Sequence, residues 1–358
     1  MDTVPDAAPR PRALVAPDAF KGTAGAVAVG RAMAAGAGRA GWGSDLCPLS
    51  DGGEGFAEVL AATPDRMGGA PSGGWHEVSV TGPLGRPVLA RFWMAGGVAV
   101  IESAAASGLP LAGGAEGNDP WRATTRGTGE LVAAAAHAGA RRVLLGVGGS
   151  ATTDGGRGAL EALEAAGGLG GTEVVVACDV ETRFVAAAEQ FGPQKGATPS
   201  QVVELGARLA AFARELWDRT GVDVTELPGA GAAGGLAGGL ATLGARLVPG
   251  FGLVAEAVGL ADRAAAADLV ITGEGRLDST SWSGKVVGGV VGLAGRTGVP
   301  VLVVAGTVGP GGVEGAGEAE LEVHSLTDRF GVERALADTT ACVEEIVRVA
   351  LGDGRSPG

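Results

Sequence analysis

A chain of 358 residues exceeds what one ordinary core holds, so two domains are expected. Hydrophobic residues make up 46% but aromatics only 4%, with 67 glycines and no tyrosine, so small aliphatic side chains must pack the cores, as in α/β folds with close helix–sheet contacts. A net charge of −13 supplies no basic field; it argues against nucleic acid and membrane as partners and leaves any anionic ligand to a few local cations. Cys47, Cys178 and Cys342 are far apart, with no Cys-x-x-Cys and no Cys/His cluster, so neither a disulfide framework nor a zinc site is supported. The N-terminal MDTVPDAAPRPR has no apolar signal core, and the apolar run VVGGVVGLAG is too short to span a bilayer. The expectation is a cytoplasmic protein, monomer or homodimer.

In chain order, Ala13–Ala16 reads as a buried strand ending in Pro17-Asp18-Ala19-Phe20-Lys21-Gly22-Thr23, with Thr23 as N-cap of the helix that follows. Asp45–Leu49 reads as a second strand, leading through Ser50-Asp51-Gly52-Gly53-Glu54-Gly55 into a helix through Ala61. Asp51 is either a ligand-facing acid or an N-cap, and Glu54 its capping-box partner. From Trp75 to Glu102 the pattern HEVSV, VLARFWM, VAVIE with TGPLGRP and AGG turns predicts an antiparallel meander. Asn118–Glu130 is a loop rich in threonine before an alanine-rich helix. Val143–Gly158, VLLGVGGSATTDGGRG, reads as strand, small-residue loop and helix. Backbone amides there suit an anion, and Asp154 beside them would need a cation between itself and a phosphate; the alternative is a tight turn with Asp154 as a helix cap. Glu173–Val180 is a buried strand ending at Asp179, followed by the turn FGPQKGA with Lys195. Pro228–Gly239 is either a second phosphate-type loop or a very close packing surface. Asp268–Thr272 is a strand leading to Glu274, Asp278 and Lys285; Val299–Gly306 and LEVHSL are further strands, and Glu333–Leu351 is the closing helix.

The predicted class is α/β: a doubly wound parallel-sheet domain (1–78 and 266–358) with a second α/β domain (79–265) inserted in it, and a site in the cleft between them. Of 27 basic residues only Lys21, Lys195 and Lys285 are lysines, each beside a glycine, which suggests places where a compact ammonium is needed. No GxxxxGK[ST] motif occurs. GxGxxG at Gly229–Gly234 has no strand before it, and no histidine lies where a Ser-His-Asp triad could form. Anion-cradling loops, acids at strand ends and three lysines fit metal-assisted phosphoryl transfer.

The motifs APDAFKGT, PLSDGGEG, VTGPLGRPV, IESAAASGLPL, TTRGTGEL, GVGGSATTDGG, ACDV, FGPQKGAT, PGAGAAGGL and DLVITGEGRLDS…SGK, in this order, resemble the bacterial-type glycerate kinase family from about Leu14 to about Val308. The resemblance implies phosphorylation of D-glycerate by ATP with Mg²⁺, giving 2-phosphoglycerate, on a two-domain α/β fold. Onto the matching positions it suggests Lys21, Lys195 and Lys285 for phosphate or the substrate carboxylate, and Asp51 or Asp179 for the acceptor hydroxyl. Gly148, Gly149, Ser150, Thr152 and Glu274 would bind the nucleotide, and Asp154 and Asp278 the Mg²⁺. The chain departs from the family pattern at Ala19, at Thr153, where asparagine is usual, and at Glu181-Thr182-Arg183, which leaves room for a related hydroxy acid. A non-catalytic binder of nucleotide or sugar acid, and an acyltransferase, are the rival readings.

Overall fold

The structure, a computed structural model, describes residues 10–63, 73–316 and 321–352. Two compact units divide the chain: Met1–Leu49 with Val258–Gly358, and Ser50–Ala257. The division thus falls at Leu49/Ser50 and Ala257/Val258, not near residues 78 and 265. Packing explains both shifts. The helix Phe56–Ala61 follows Ser50 and buries Phe56 where a side chain at Gly146 would meet its ring. The helix Leu260–Ala265 packs on Val286–Thr297, and Arg263 pairs with Asp45.

The discontinuous unit holds β1 (Arg12–Val15), β2 (Gly43–Leu46), β9 (Leu269–Leu277), β10 (Val301–Val308) and β11 (Leu321–Ser325), the strands being numbered along the whole chain. Their order is β11-β10-β9-β1-β2, every pair parallel. Leu14, Val15, Val270, Ile271, Val303 and Val304 are fully buried, the near-continuous apolar reading of strands covered on both faces. Helices Ala26–Arg39 and Thr339–Gly352 pack with Ala13, Val15, Ile271 and Val304 in one core. Gly36 makes that approach possible, since a Cβ there would lie 2.4 Å from the Glu344 carbonyl oxygen. Val286–Thr297 packs on β9 and β10. The winding direction reverses between β1 and β9, and the carboxyl ends of those strands carry Asp18, Lys21 and Glu274.

Two local expectations change here. Thr23 donates its hydroxyl to the Phe20 carbonyl and leaves the N-cap of Ala26–Arg39 to Gly25. The closing helix is two, Val332–Ala337 and Thr339–Gly352, broken at Asp338.

The continuous unit holds β3 (Gly74–Thr81), β4 (Pro87–Ala95), β5 (Val98–Glu102), β6 (Arg142–Gly146), β7 (Glu173–Ala177) and β8 (Arg246–Val248), lying side by side in chain order. β3, β4 and β5 form the antiparallel meander; β5 to β8 are parallel, joined by helical crossovers. The three-residue, part-exposed β8 was absent from the sequence reading, being too short for a period to show.

Candidate active site

In the discontinuous unit, β1 and β9 bring one group of charged residues together. The Asp18 amide donates to the Gly273 carbonyl at 2.8 Å, so the turn after β1 lies along β9. A side chain at Gly275 would meet the Lys21 backbone nitrogen at 3.1 Å, and glycine there lets the two loops approach. Burial holds the Glu274 carboxyl above its usual range. The Ser281 hydroxyl and the Lys285 and Lys21 ammoniums pull it down, and Asp278 adds to the rise. One oxygen, Glu274 Oε1, is buried without a hydrogen-bond partner among the described residues. Lys285 donates to the Thr280 hydroxyl at 3.0 Å and occupies the N-cap position of Val286–Thr297. No side chain caps that twelve-residue helix, and Gly284 before it has φ +76° with open space around its α-carbon. An uncapped helix start beside an ammonium is the arrangement that receives an anion.

Asp278 does not sit ready for a metal ion. Its Oδ1 accepts from the Thr280 amide at 2.9 Å and hydroxyl at 2.8 Å, and its Oδ2 from Arg276 at 3.1 Å, which hold its carboxyl below the usual range.

In the continuous unit, the loop after β6 is bound from every side. Asp154, 4% exposed, accepts four hydrogen bonds: Oδ2 from the Thr125 amide (2.9 Å), the Thr125 hydroxyl (2.9 Å) and the Gly158 amide (3.2 Å), and Oδ1 from the Gly156 amide (3.0 Å). Its carboxylate thus takes up amides at the start of the helix Arg157–Ala165, as a helix cap does. Among the described residues no group of three or more His, Cys, Asp or Glu side chains could hold a metal ion.

Lys195 is 3% exposed and donates to Ser150 Oγ at 3.0 Å and to the Thr152 carbonyl at 2.6 Å. Burial pushes its ammonium down to about 7, with Asp154 opposing. It braces the loop from behind. The Thr152 hydroxyl donates to the Ala233 carbonyl, and the Gly148 amide to the Gly52 carbonyl. Gly149, at φ +70°, is exposed. The glycine-dense stretch at Pro228–Gly239 is a packing surface: a Cβ at Gly234 would lie 2.0 Å from the Thr152 carbonyl oxygen, and one at Gly235 2.7 Å from the Gly155 α-carbon. Ala233 there holds φ 52°, the single non-glycine residue with positive φ among those described.

Asp51 and Asp179 meet at the carboxyl ends of β6 and β7. A side chain at Gly52 would press on the Ala177 carbonyl, and one at Gly250 on the Asp51 carbonyl, so these glycines seat the Ser50–Gly53 turn over the sheet. Asp179 accepts from the Gly250 amide at 2.6 Å and the Phe251 amide at 3.3 Å, and thus caps Gly250–Val258. Asp51 Oδ1 accepts from the Gly53 amide at 3.0 Å.

Sequence reasoning missed Asn118 and Glu102. Asn118 Nδ2 donates to the carbonyls of Ala151 (3.0 Å) and Lys195 (2.9 Å), tying the loop to the turn that carries its lysine. Its signal was one polar residue before Asp-Pro, which reads locally as a turn. Of the departures from the family pattern, Ala19 lies in the turn after β1 and Thr153 in the loop after β6, both buried, whereas Thr182 donates to Gln190 and the exposed Arg183 pairs with Glu226.

The sequence model of the glycerate kinase family matches residues 13–167 and 164–351. A glycerate kinase of Halalkalibacterium halodurans is 38% identical over 334 residues, covering 83% of this chain and 86% of its own. A glycerate 2-kinase of Escherichia coli K12 is 41% identical over 295 residues, covering 73% and 75%. The crystal structure of a Salmonella typhimurium LT2 protein assigned as glycerate kinase 2 superposes with a TM-score of 0.77 at 34% identity, covering 96% of this chain and 98% of that one.

Proposed function

The chain belongs to the glycerate kinase family, and from that premise we propose that it transfers the terminal phosphoryl group of ATP to D-glycerate, giving 2-phosphoglycerate. The observation that carries this reading is the group at the β1/β9 junction: a buried Glu274 oxygen with no donor, two lysines within electrostatic reach of that carboxylate, and an uncapped helix start at Lys285. A polyanionic ligand supplies what this group lacks. Its negative oxygens would meet Lys21, Lys285 and the first amides of Val286–Thr297. A hydroxyl or amino group of the same ligand would donate to Glu274 Oε1, ending the cost of a buried acceptor left unmade.

Phosphoryl transfer asks little covalent work of a protein and much positioning. In the continuous unit, Asp51 or Asp179 is the carboxylate that would orient the acceptor hydroxyl, and the close seating of the Ser50–Gly53 turn sets Asp51 over the ends of β6 and β7. Gly149 is exposed in the loop, and Lys195, through Ser150, with Asn118 and Asp154 holds it in place. No metal-holding role follows for Asp154 or Asp278, and a divalent cation would come with the phosphate oxygens of the nucleotide. The E. coli relative's name is the support for the 2-position.

The test is an assay of ADP release with ATP, Mg²⁺ and D-glycerate, with NMR of the product to identify the hydroxyl phosphorylated. Glycerate-dependent ADP release and a 2-phospho product are expected. Turnover of other hydroxy acids but not glycerate would overturn the substrate, and a 3-phospho product the position.

A further inference from the structure

Glu102 is a half-buried carboxylate with no part in the chemistry above. It ends β5, its backbone in register with Gly146 of β6, so it stands at the carboxyl end of the parallel strands. Its Oε1 accepts from the Ala57 amide at 2.9 Å, a residue 45 positions away, and the Gly55 amide nearby also favours the charged carboxylate. Those amides open the helix Phe56–Ala61, whose N-cap is Gly55 in the left-handed conformation with no side chain of its own to cap it. The sequence Gly52-Gly53-Glu54-Gly55 explains the arrangement. Its glycines let the turn approach Ala177 and Gly148 closely, and they leave the helix start without a local acceptor. The acceptor comes instead from the sheet on which the turn rests.

We propose that Glu102 is a positioning residue of the phosphoryl-transfer site, holding the Gly55–Ala57 amides so that the Ser50–Gly53 turn keeps Asp51 over the ends of β6 and β7. The proposal rests on the function given above. A serine or asparagine could cap a helix without burying charge. Burial instead holds the Glu102 carboxyl above its usual range, with Glu58 and Glu54 adding to the rise and the two amides opposing it. Glu58 is itself paired with Arg91 at 2.9 Å, so the charges around Glu102 are these two acids, one of them neutralised. Protonation of Glu102 would weaken its grip on the amides and free the turn. A misplacement of ~1 Å at such a carboxylate costs on the order of 10²-fold in rate.

The experiment compares wild type, Glu102→Gln and Glu102→Asp by amide hydrogen exchange and by kinetics across pH. Glu102→Gln is expected to speed exchange at Gly55 and Ala57 while β6 amides keep their protection. It is also expected to lower kcat by ~10- to 100-fold with KM for nucleotide within about threefold of wild type, and to remove the acid limb that protonation of Glu102 gives the wild-type kcat profile. Unchanged exchange at Gly55 and Ala57 would show that Glu102 does not hold the turn. Faster exchange there with wild-type kcat and pH profile would reduce it to a structural cap. Both outcomes overturn the proposal. If the Gln variant does not fold, Glu102→Asp, shorter but still charged, is read by exchange at Ala57 and by kcat, with its acid limb kept. Should the wild type phosphorylate no glycerate, the proposed function falls on that result, and the exchange data still decide whether Glu102 fixes the turn.

Discussion

Two loops of this protein carry the same inventory, a small-residue turn with an acid and a lysine after a buried strand, and use it in opposite ways. After β6, the acid and the lysine are turned inward. Asp154 accepts four protein hydrogen bonds and Lys195 donates two, both almost wholly buried. At the β1/β9 junction, Glu274 within β9 keeps an oxygen without a donor among the described residues, Lys21 in the turn after β1 is exposed, and the helix that Lys285 begins has no capping side chain among them. The first loop is a finished structure; the second is one that a ligand completes. The presence of an acid beside a lysine near glycine therefore says little about function. What separates the two loops is whether the protein has already supplied each group's partners.

The largest effect that could break this contrast is at Asp154. Asp154→Ala would orphan three buried amides and leave the Lys195 charge without its neighbouring carboxylate. A loss of ~3–5 kcal/mol in unfolding free energy is expected by urea denaturation. If Asp154 were a metal ligand, the variant would keep its stability and need far more Mg²⁺ for turnover, and that result would put the two loops in one class.

Next in size is Lys21→Met. The side chain is exposed, so the melting temperature should stay within about 2 °C of wild type. If the β1/β9 group is the anion site, kcat/KM should fall ~100-fold, about 2.7 kcal/mol of lost transition-state stabilisation. Wild-type kcat/KM would show that the second loop is no more a ligand site than the first.

Much of the fold was legible because it rests on pattern. The near-continuous apolar runs at Val143–Val147 and Val299–Gly306, short and rich in valine, read as buried parallel strands, and HEVSV to VAVIE read as a meander. The candidate site was legible as a set of loops, because strand ends and glycine turns are local features. The direction of each side chain was not. Asp154 as cap or ligand was open in the sequence, since what decides it is Thr125, 29 residues away, donating through both amide and hydroxyl. Likewise Glu102 reads as the polar end of a strand, and nothing local shows that it caps a helix 45 residues earlier. The glycines at Gly234 and Gly235 looked equally suited to phosphate or to packing, and their contacts with the Thr152–Gly155 segment decide for packing.

The smallest predicted effect tests the same contrast through pH. Lys195 is held at about 7 in the folded chain by burial, whereas in the unfolded chain it titrates near ~10.4. Between those values the unfolded state binds a proton that the folded state does not, so stability rises with pH across that window. Below about pH 7 both states are protonated and the cost of burying the charge is felt in full; above ~10.4 both are neutral and the gain is complete. Lys195→Met removes this group and leaves every other titration common to both proteins. The unfolding free energy of wild type relative to Lys195→Met should therefore climb by ~1–3 kcal/mol from pH 6.5 to 9.5, read from urea midpoints at matched ionic strength. A difference that stays flat would mean that Lys195 keeps its proton throughout, with solvent or a ligand surface available to it. The lysine would then belong with the exposed Lys21 rather than with the enclosed Asp154.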